Sequence, residues 1–174
     1  MNNIAILCCS SNSVYKSYDF TDCYDEQRSC YSFNGGMPVV AHPPCRAWSR
    51  YMSHYSKHES SEVITGYFCI DAVRKNGGVL EHPAHSRLFD LLPKPGYSDE
   101  YGTSIEVWQY WFGYPMRKRT WLYICSRDIN KLVIPYRLET GVDNRRIFGS
   151  MNHVDKSRTT PEFADFLLGI ADGN

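Results

Sequence analysis

A strand–helix–strand pattern in the middle of the chain constrains the fold most. The apolar run Pro38–Ala41 is typical of a buried strand, and the two prolines that follow it shortly afterwards prevent further sheet pairing. Apolar residues of Ser61–Lys75 fall mostly on one helical face, and Val79–Leu80 is the next short apolar run. A helix that links two neighbouring strands makes them parallel, so the pattern predicts a βαβ unit within an α/β fold.

Further runs extend the predicted sheet on both sides of this unit. Ile4–Cys9 and Thr120–Cys125 have the apolar and β-branched residues of buried strands, whereas Ile105–Phe112 fits either a helix or an extended segment. Asp22–Tyr31 is predicted as a short helix or an irregular turn. We therefore expect a Rossmann-like, mostly parallel sheet with flanking helices.

The length of the chain predicts one domain. Its 174 residues are enough for one core and too few for two comfortable ones, and 43% of them are hydrophobic. We expect a single domain over 1–174, with a core over 1–125, an irregular polar segment over 126–155 and a helix over 159–171 that packs back on the core. Thr160-Pro161 supplies a capping hydroxyl and a first-turn proline for this helix.

Charge and cysteine usage narrow the class of protein. The chain has 19 basic and 19 acidic residues, so its overall charge gives no argument for nucleic-acid binding. No apolar run approaches the roughly 20 residues that span a bilayer, and the first apolar run lacks the basic flank of a signal peptide. The cysteines number seven and are scattered, which favours free thiols. We expect a cytoplasmic protein with no membrane segment.

Two predicted strand ends carry reactive side chains. Cys45 follows two prolines, and a helix after it, together with Arg46 and Arg50, would lower the pKa of its thiol. Glu81 ends the next strand, where a carboxylate can hydrogen-bond a ring nitrogen or an amine of a substrate. Because ligands of open parallel sheets bind outside the carboxyl ends of the strands, Cys45 and Glu81 are the leading candidates for a functional site.

Two weaker signals lie beside these residues. The basic run Arg117–Arg119 precedes the strand that begins at Thr120, where it can hold a phosphate or a base carbonyl, although such runs are usually solvated turns. His42-x-x-Cys45 and His82-x-x-His85 have the spacing of zinc ligands. Prolines inside both pairs stiffen the backbone, so we rank zinc below the other hypotheses and expect no metal.

In chain order, these motifs resemble those of cytosine-5 DNA methyltransferases. The chain reads Pro-Pro-Cys-Arg-Ala-Trp-Ser over Pro43–Ser49, Glu-His-Pro over Glu81–Pro83, and Gly-Tyr-Pro-Met-Arg-Lys-Arg over Gly113–Arg119. The family has Pro-Pro-Cys with an aromatic residue and Ser, then Glu-Asn-Val after a strand, then Gly-Val-Pro-Gln with two alternating arginines. The general form is that of compact phage and prophage members that lack the target-recognition domain.

The resemblance implies roles for individual residues. Cys45 would attack carbon 6 of a pyrimidine, Glu81 would hold ring nitrogen 3 and the exocyclic amine, and Arg119 would contact the base carbonyl. The remaining substrate-site residues implied by the motifs are Pro44, Ser49, His82 and Arg117. The substrate would be a pyrimidine base in DNA or in a nucleotide, and a partner protein would supply target recognition.

The family's cofactor is S-adenosylmethionine, and here Asp22 or Asp25 would bind its ribose hydroxyls. The family has a glycine-rich loop after the first strand, but this chain has no glycine before Gly35. Two alternatives therefore stay open. One is the same Cys–Glu chemistry with another donor, and the other is a non-catalytic module that binds nucleic acid or a defence protein.

Overall fold

Six strands and two α-helices make up the described part of the chain. The computed structural model describes residues 3–50, 60–135 and 158–173. The strands and helices are β1 (Ile4–Leu7), β2 (Thr21–Tyr24), β3 (Val39–Ala41), α1 (Ser60–Asn76), β4 (Gly78–Pro83), β5 (Gly102–Trp108), β6 (Arg119–Cys125) and α2 (Pro161–Asp172).

The strands form one mixed sheet in the order β2-β1-β3-β4-β6-β5. The pairs β1–β2, β1–β3 and β3–β4 are parallel, and α1 connects β3 to β4 as the sequence predicted. β6 runs antiparallel to both β4 and β5, so the expectation of a mostly parallel sheet was wrong. The segment 109–118 alone separates β5 from β6, and a parallel pair needs a longer crossover.

Two segments with ambiguous sequence patterns became strands. Thr21–Tyr24, which overlaps the predicted helix or turn Asp22–Tyr31, pairs with β1 along its whole length. Polar residues form this strand because the neighbouring β1 supplies its hydrogen bonds, a tertiary effect that local propensity does not report. The extended alternative was correct for the first half of Ile105–Phe112, and the second half, Gln109–Phe112, forms a short 3-10 helix.

Each face of the sheet packs against one helix. Alternate strand residues such as Leu7, Val39 and Leu80 face α1, and their neighbours Ile6 and Val40 face α2. All of these residues are fully buried, and each contributes roughly 1.5–3 kcal/mol of hydrophobic free energy.

α2 begins where the sequence places its cap. Thr160 accepts a hydrogen bond from the Phe163 amide at 3.3 Å, and Pro161 occupies the first turn. Phe163 and Leu167 are buried against the sheet. Neither α1 nor α2, the two α-helices in the described residues, is long and apolar enough to cross a bilayer.

The pairing of β3 with β4 depends on a glycine. A Cβ atom on Gly78 would lie 2.0 Å from the Val39 carbonyl oxygen, and Gly78 adopts a φ of +112°. Only glycine allows this approach. The register that results places Ala41 opposite Leu80, so the residues that follow each of them lie side by side at the carboxyl ends of the strands.

Candidate functional site

The carboxyl ends of the parallel strands form the candidate site. β2 lies on one side of β1 and β3 lies on the other, so the chain changes direction across the sheet between β1 and β3. Ligands of open α/β sheets bind at such a switch point. Cys45 lies just beyond β3, and Glu81 is the fourth of the six residues of the neighbouring β4.

Cys45 is exposed, but its thiol is not activated in the way that the sequence suggested. Protein atoms around the sulfur raise the pKa of Cys45, the negative charge of Glu81 raises it further, and Lys118 opposes them. We expected a lowered pKa from Arg46 and Arg50. The thiol is therefore protonated at neutral pH and must lose its proton before it acts as a nucleophile.

The pKa of Cys45 is not lowered because the helix dipole and the two arginines that were expected to lower it do not act on the sulfur. A turn, and not a helix, follows Cys45 up to residue 50, so no helix dipole acts on the sulfur in this described segment. The Arg46 guanidinium pairs with Glu62 of α1. The Arg50 guanidinium binds Asp90 at 2.5 Å and the His85 carbonyl at 2.9 Å.

Glu81 is a carboxylate with a 12% exposed side chain and two hydrogen-bond donors. Its Oε2 lies 3.0 Å from His42 Nδ1, and its Oε1 accepts a hydrogen bond from Gln109 Nε2 at 3.1 Å. Burial alone would raise the pKa of Glu81, but the hydrogen bond and charge of His42 and the charge of Lys118 lower this pKa to about 2. Glu81 is therefore ionised at rest.

A chain of hydrogen bonds extends from Glu81 in both directions. His42 Nε2 lies 3.0 Å from the Tyr15 hydroxyl, and Gln109 Nε2 also donates to Thr120 Oγ1 at 3.0 Å. Tyr15 is fully buried and Gln109 is 3% exposed, so the protein interior fixes both ends of the chain. Of the residues bonded to Glu81 in this chain, the sequence predicted a role only for His42, as a metal ligand. Its position as a polar residue directly after a buried strand was the signal that could have indicated a role in the site.

Arg119 does not join Cys45 and Glu81. Its guanidinium forms a two-pronged ion pair with Glu106 on β5, with the shortest contact at 2.7 Å, and its NH1 lies 3.2 Å from His85 Nε2. Successive β6 residues point to opposite faces, and Thr120 is the residue that faces the Glu81 network. The role that the motif implied for Arg119 therefore lacks the required geometry.

Lys118 is the cation whose charge acts on both candidate groups. It lowers the pKa of the Cys45 thiol and that of Glu81. Its ammonium group lies 5.3 Å from the centre of the Tyr114 ring. Arg117 is half-buried in the turn before β6. Of the basic run Arg117–Arg119, Lys118 is therefore the residue whose charge reaches the site, whereas the alternating arginine motif indicated Arg117 and Arg119.

His82 is buried next to Glu81 on β4, so its side chain is not accessible to a substrate in this arrangement. The side chain is 1% exposed and neither ring nitrogen has a hydrogen-bond partner among the described residues. Burial lowers the pKa of His82 to about 4, so the ring is neutral. Pro44 is half-buried immediately before Cys45, and Ser49 is half-buried in the same turn.

The zinc hypothesis fails on geometry. His42 is bound to Glu81 and Tyr15, whereas His82 points to the opposite face of the sheet from Glu81, its neighbour on β4. His85 contacts Arg119. Within residues 3–50, 60–135 and 158–173, no group of three or more His, Cys, Asp or Glu side chains could hold a metal ion.

The predicted cofactor residues lie in β2 (Asp22) and just after it (Asp25), and both are paired with cations. Asp25 binds Lys16 through Oδ2 and two backbone amides through Oδ1, and Asp22 binds Arg28 and the Tyr24 hydroxyl. These cations, Lys16 and Arg28, are close to the two carboxylates in sequence and neutralise their charge.

The loop after β1 also differs from a glycine-rich cofactor loop. Cys8 adopts the left-handed conformation, with a φ of +62°, that favours glycine. Its sulfur lies 3.8 Å from that of Cys69 on α1. The described residues at the ends of β1 and β2 do not fit S-adenosylmethionine in the manner that the resemblance implies.

Comparisons with protein families, with curated proteins and with solved structures found no match for this chain.

Proposed function

We propose that this protein is a pyrimidine-modifying enzyme in which Cys45 adds to carbon 6 of the base. One observation carries the proposal. An exposed thiol just beyond β3 and an ionised carboxylate with a 12% exposed side chain on the adjacent strand β4 lie on the carboxyl-terminal side of the parallel strands. The motif order of cytosine-5 DNA methyltransferases, whose Rossmann-like core we also propose for this chain, supports the same assignment.

The addition uses groups that the site contains. The Cys45 thiol loses its proton, which Lys118 favours, and the sulfur forms a bond to carbon 6. The electrons of the 5,6 double bond shift towards ring nitrogen 3, which takes up a proton. Glu81 hydrogen-bonds that nitrogen and the exocyclic amine and stabilises the developing charge. Carbon 5 then becomes nucleophilic and attacks an electrophile.

The identity of the electrophile separates two versions of the proposal. S-adenosylmethionine is the methyl donor that the resemblance implies. A different donor is favoured by the side chain of Cys8 in place of a glycine and by the ion pairs of Asp22 and Asp25. In either version, Cys45 and Glu81 activate the base in the same way.

The substrate class follows from the same chemistry. A pyrimidine in a nucleotide or in single-stranded DNA can enter directly, whereas a base in a duplex must first be flipped out at a cost of a few kcal/mol. For duplex DNA, we propose that a partner protein supplies target recognition. If the chain is instead a non-catalytic binding module, Cys45→Ser will leave its biological effect intact.

Isotope exchange at carbon 5 tests the proposal without any donor. The adduct at carbon 6 takes up deuterium at carbon 5 from D2O, and its reversal releases an exchanged base. We expect exchange with cytosine in a nucleotide or a single-stranded oligonucleotide, measured by mass spectrometry, and none with Cys45→Ser. Cys23→Ser, at a half-buried cysteine outside the site, is the matched control. Exchange that persists in Cys45→Ser, or no exchange with any pyrimidine, refutes the proposal.

Calorimetric titration with S-adenosylmethionine then assigns the donor. Micromolar binding corresponds to about −8 kcal/mol and would identify methyl transfer. Carbon 5 exchange without such binding would identify the second version, in which another electrophile reacts at carbon 5.

A further inference from the structure

We propose that His42 is a positioning residue that supplies Glu81 with the proton passed to the pyrimidine ring, with Tyr15 holding the imidazole in place. The inference rests on the proposed function, because it concerns the proton that ring nitrogen 3 must gain when Cys45 adds to carbon 6. It assigns a role to two residues that the methyltransferase-like motifs do not include.

The geometry fixes the direction of the hydrogen bonds. Glu81 is ionised and can only accept, so the proton between it and His42 is on Nδ1, at an N–O distance of 3.0 Å. His42 Nε2 then faces the Tyr15 hydroxyl at 3.0 Å. A hydroxyl can donate to a neutral imidazole or accept from an imidazolium, so Tyr15 serves both states of the ring.

The imidazole is held tightly but is still reached by water. The side chain of His42 is 14% exposed and that of Glu81 is 12% exposed, whereas Tyr15 is fully buried. The His42 backbone amide donates to the Leu7 carbonyl at 3.0 Å, which anchors the residue to the end of β1. A proton given up by His42 can therefore be replaced from solvent.

Four titratable groups surround His42. Glu81 and His82 extend from β4, Tyr15 comes from the short 3-10 helix Val14–Ser17, and Lys118 acts on Glu81 from the turn before β6. Among these described groups, Glu81 is the one carboxylate, and its Oε2 lies 3.0 Å from His42 Nδ1. The buried hydroxyl of Tyr15 does not compete, because burial raises the pKa of Tyr15 well above its usual value.

The proton balance of the step is complete. The Cys45 S–H proton passes to water, and the Sγ–C6 bond forms. The imidazolium of His42 gives its Nδ1 proton to Glu81, and Glu81 gives a proton to ring nitrogen 3. His42 is left neutral and recovers a proton from water. Overall, one proton has moved from the thiol to the base, and no oxidant or reductant takes part.

This arrangement predicts a bell-shaped pH profile for carbon 5 exchange. The step needs a deprotonated Cys45 thiol and a proton on His42 at the same time, and a rate that requires one deprotonated and one protonated group passes through a maximum with pH. His42→Gln keeps a hydrogen-bond donor for Glu81 but has no proton to give. We expect it to lower the exchange rate about 10²-fold and to remove the falling limb of the profile.

The test compares wild type, His42→Gln and His85→Gln across pH 5 to 10. His85 is an exposed histidine outside the Glu81 network, so its variant should reproduce the wild-type profile. Wild-type exchange with an unchanged rate and profile in His42→Gln overturns the role of His42 and leaves the proposed function standing. No exchange in the wild type removes the proposed function itself, so the two failures are distinguishable.

Nitrogen NMR of the wild-type protein gives an independent measurement that needs no variant to fold. With 15N-labelled histidine, we expect the resting protein to show a proton on His42 Nδ1, the nitrogen that faces the ionised Glu81. A neutral ring with its proton on Nε2 would overturn the proposal, because Glu81 would then have no donor at His42.

Discussion

Acidic residues lie on or just after two strands of the same sheet, β2 and β4, and their hydrogen-bond and ion-pair partners differ. At β4, the Glu81 side chain is 12% exposed and receives hydrogen bonds from His42 and Gln109. At β2, Asp22 and Asp25 form ion pairs with cations close to them in sequence, and their side chains are 31% and 6% exposed. Location at a strand end is therefore not enough to make a carboxylate part of a site. The groups that surround it decide whether it can act on a ligand.

The largest expected effect is the difference in carbon 5 exchange between variants of Glu81 at β4 and of Asp25 at β2. Glu81→Gln should lower carbon 5 exchange by about 10²–10³-fold, because an amide cannot pass a proton to the ring. Asp25→Asn, the matched change at β2, should leave donor-independent exchange within about twofold. Equal losses in the two variants would contradict the division, and circular dichroism of both would show whether folding is intact.

A second experiment tests the tight β3–β4 contact that aligns the site. Gly78→Ala should lower the free energy of unfolding by about 4 kcal/mol or more, since its Cβ would meet the Val39 carbonyl. Gly36→Ala is the matched control, because Gly36 also has a positive φ but no atom lies within 4 Å of its Cβ position. We expect it to cost about 1–2 kcal/mol in denaturant unfolding. Similar values for both would mean that the contact is loose.

The acid dependence of stability should report the burial of His82. In the folded state its pKa is lowered from 6.5 to about 4, so the unfolded chain binds the proton first as pH falls. Its contribution is fully present above pH 6.5 and is lost on the way to pH 4, by about 3 kcal/mol. His82→Gln should remove this part of the slope, whereas His85→Gln, at an exposed ring, should retain it.

The smallest effect distinguishes the two cations of the basic run. Lys118→Met should slow the alkylation of Cys45 at pH 8 by about two- to fivefold, because the charge of Lys118 lowers the pKa of the thiol. Arg119→Met should leave the alkylation rate unchanged, since the Arg119 guanidinium is paired with Glu106. The rate follows from mass spectrometry of the labelled peptide. A larger effect from Arg119 would restore the role that the motif implied.

The ends of β3 and β4 were predictable because local chemistry marks them. Two prolines stop the first strand before Cys45, and the apolar run before Glu81 is short and bounded by Gly78. By contrast, β2 has the sequence Thr-Asp-Cys-Tyr, which carries no apolar alternation. Its strand exists because β1 offers free backbone groups beside it, and a neighbour in space is invisible to local propensity.

The direction of β6 and the composition of the site were decided in three dimensions. Its residues predict a strand in either direction, and only the short return from β5 makes it antiparallel. The direction and register of β6 set which of its residues face Glu81. Thr120 joins the network, and Arg119 pairs with Glu106 across the sheet.

By itself, the sequence determined the α/β class, the βαβ unit around α1 and the placement of Cys45 after β3 and of Glu81 on the neighbouring strand, although β4 continues past Glu81 to Pro83. Hydrophobic periodicity and chain breakers act over a few residues, so a single sequence reports them directly. The tertiary structure alone decided the partners of Glu81, since His42 and Gln109 are distant from it along the chain. It also decided the raised pKa of Cys45 and the lowered pKa of Glu81, because both depend on burial and on charges that only the folded chain brings together.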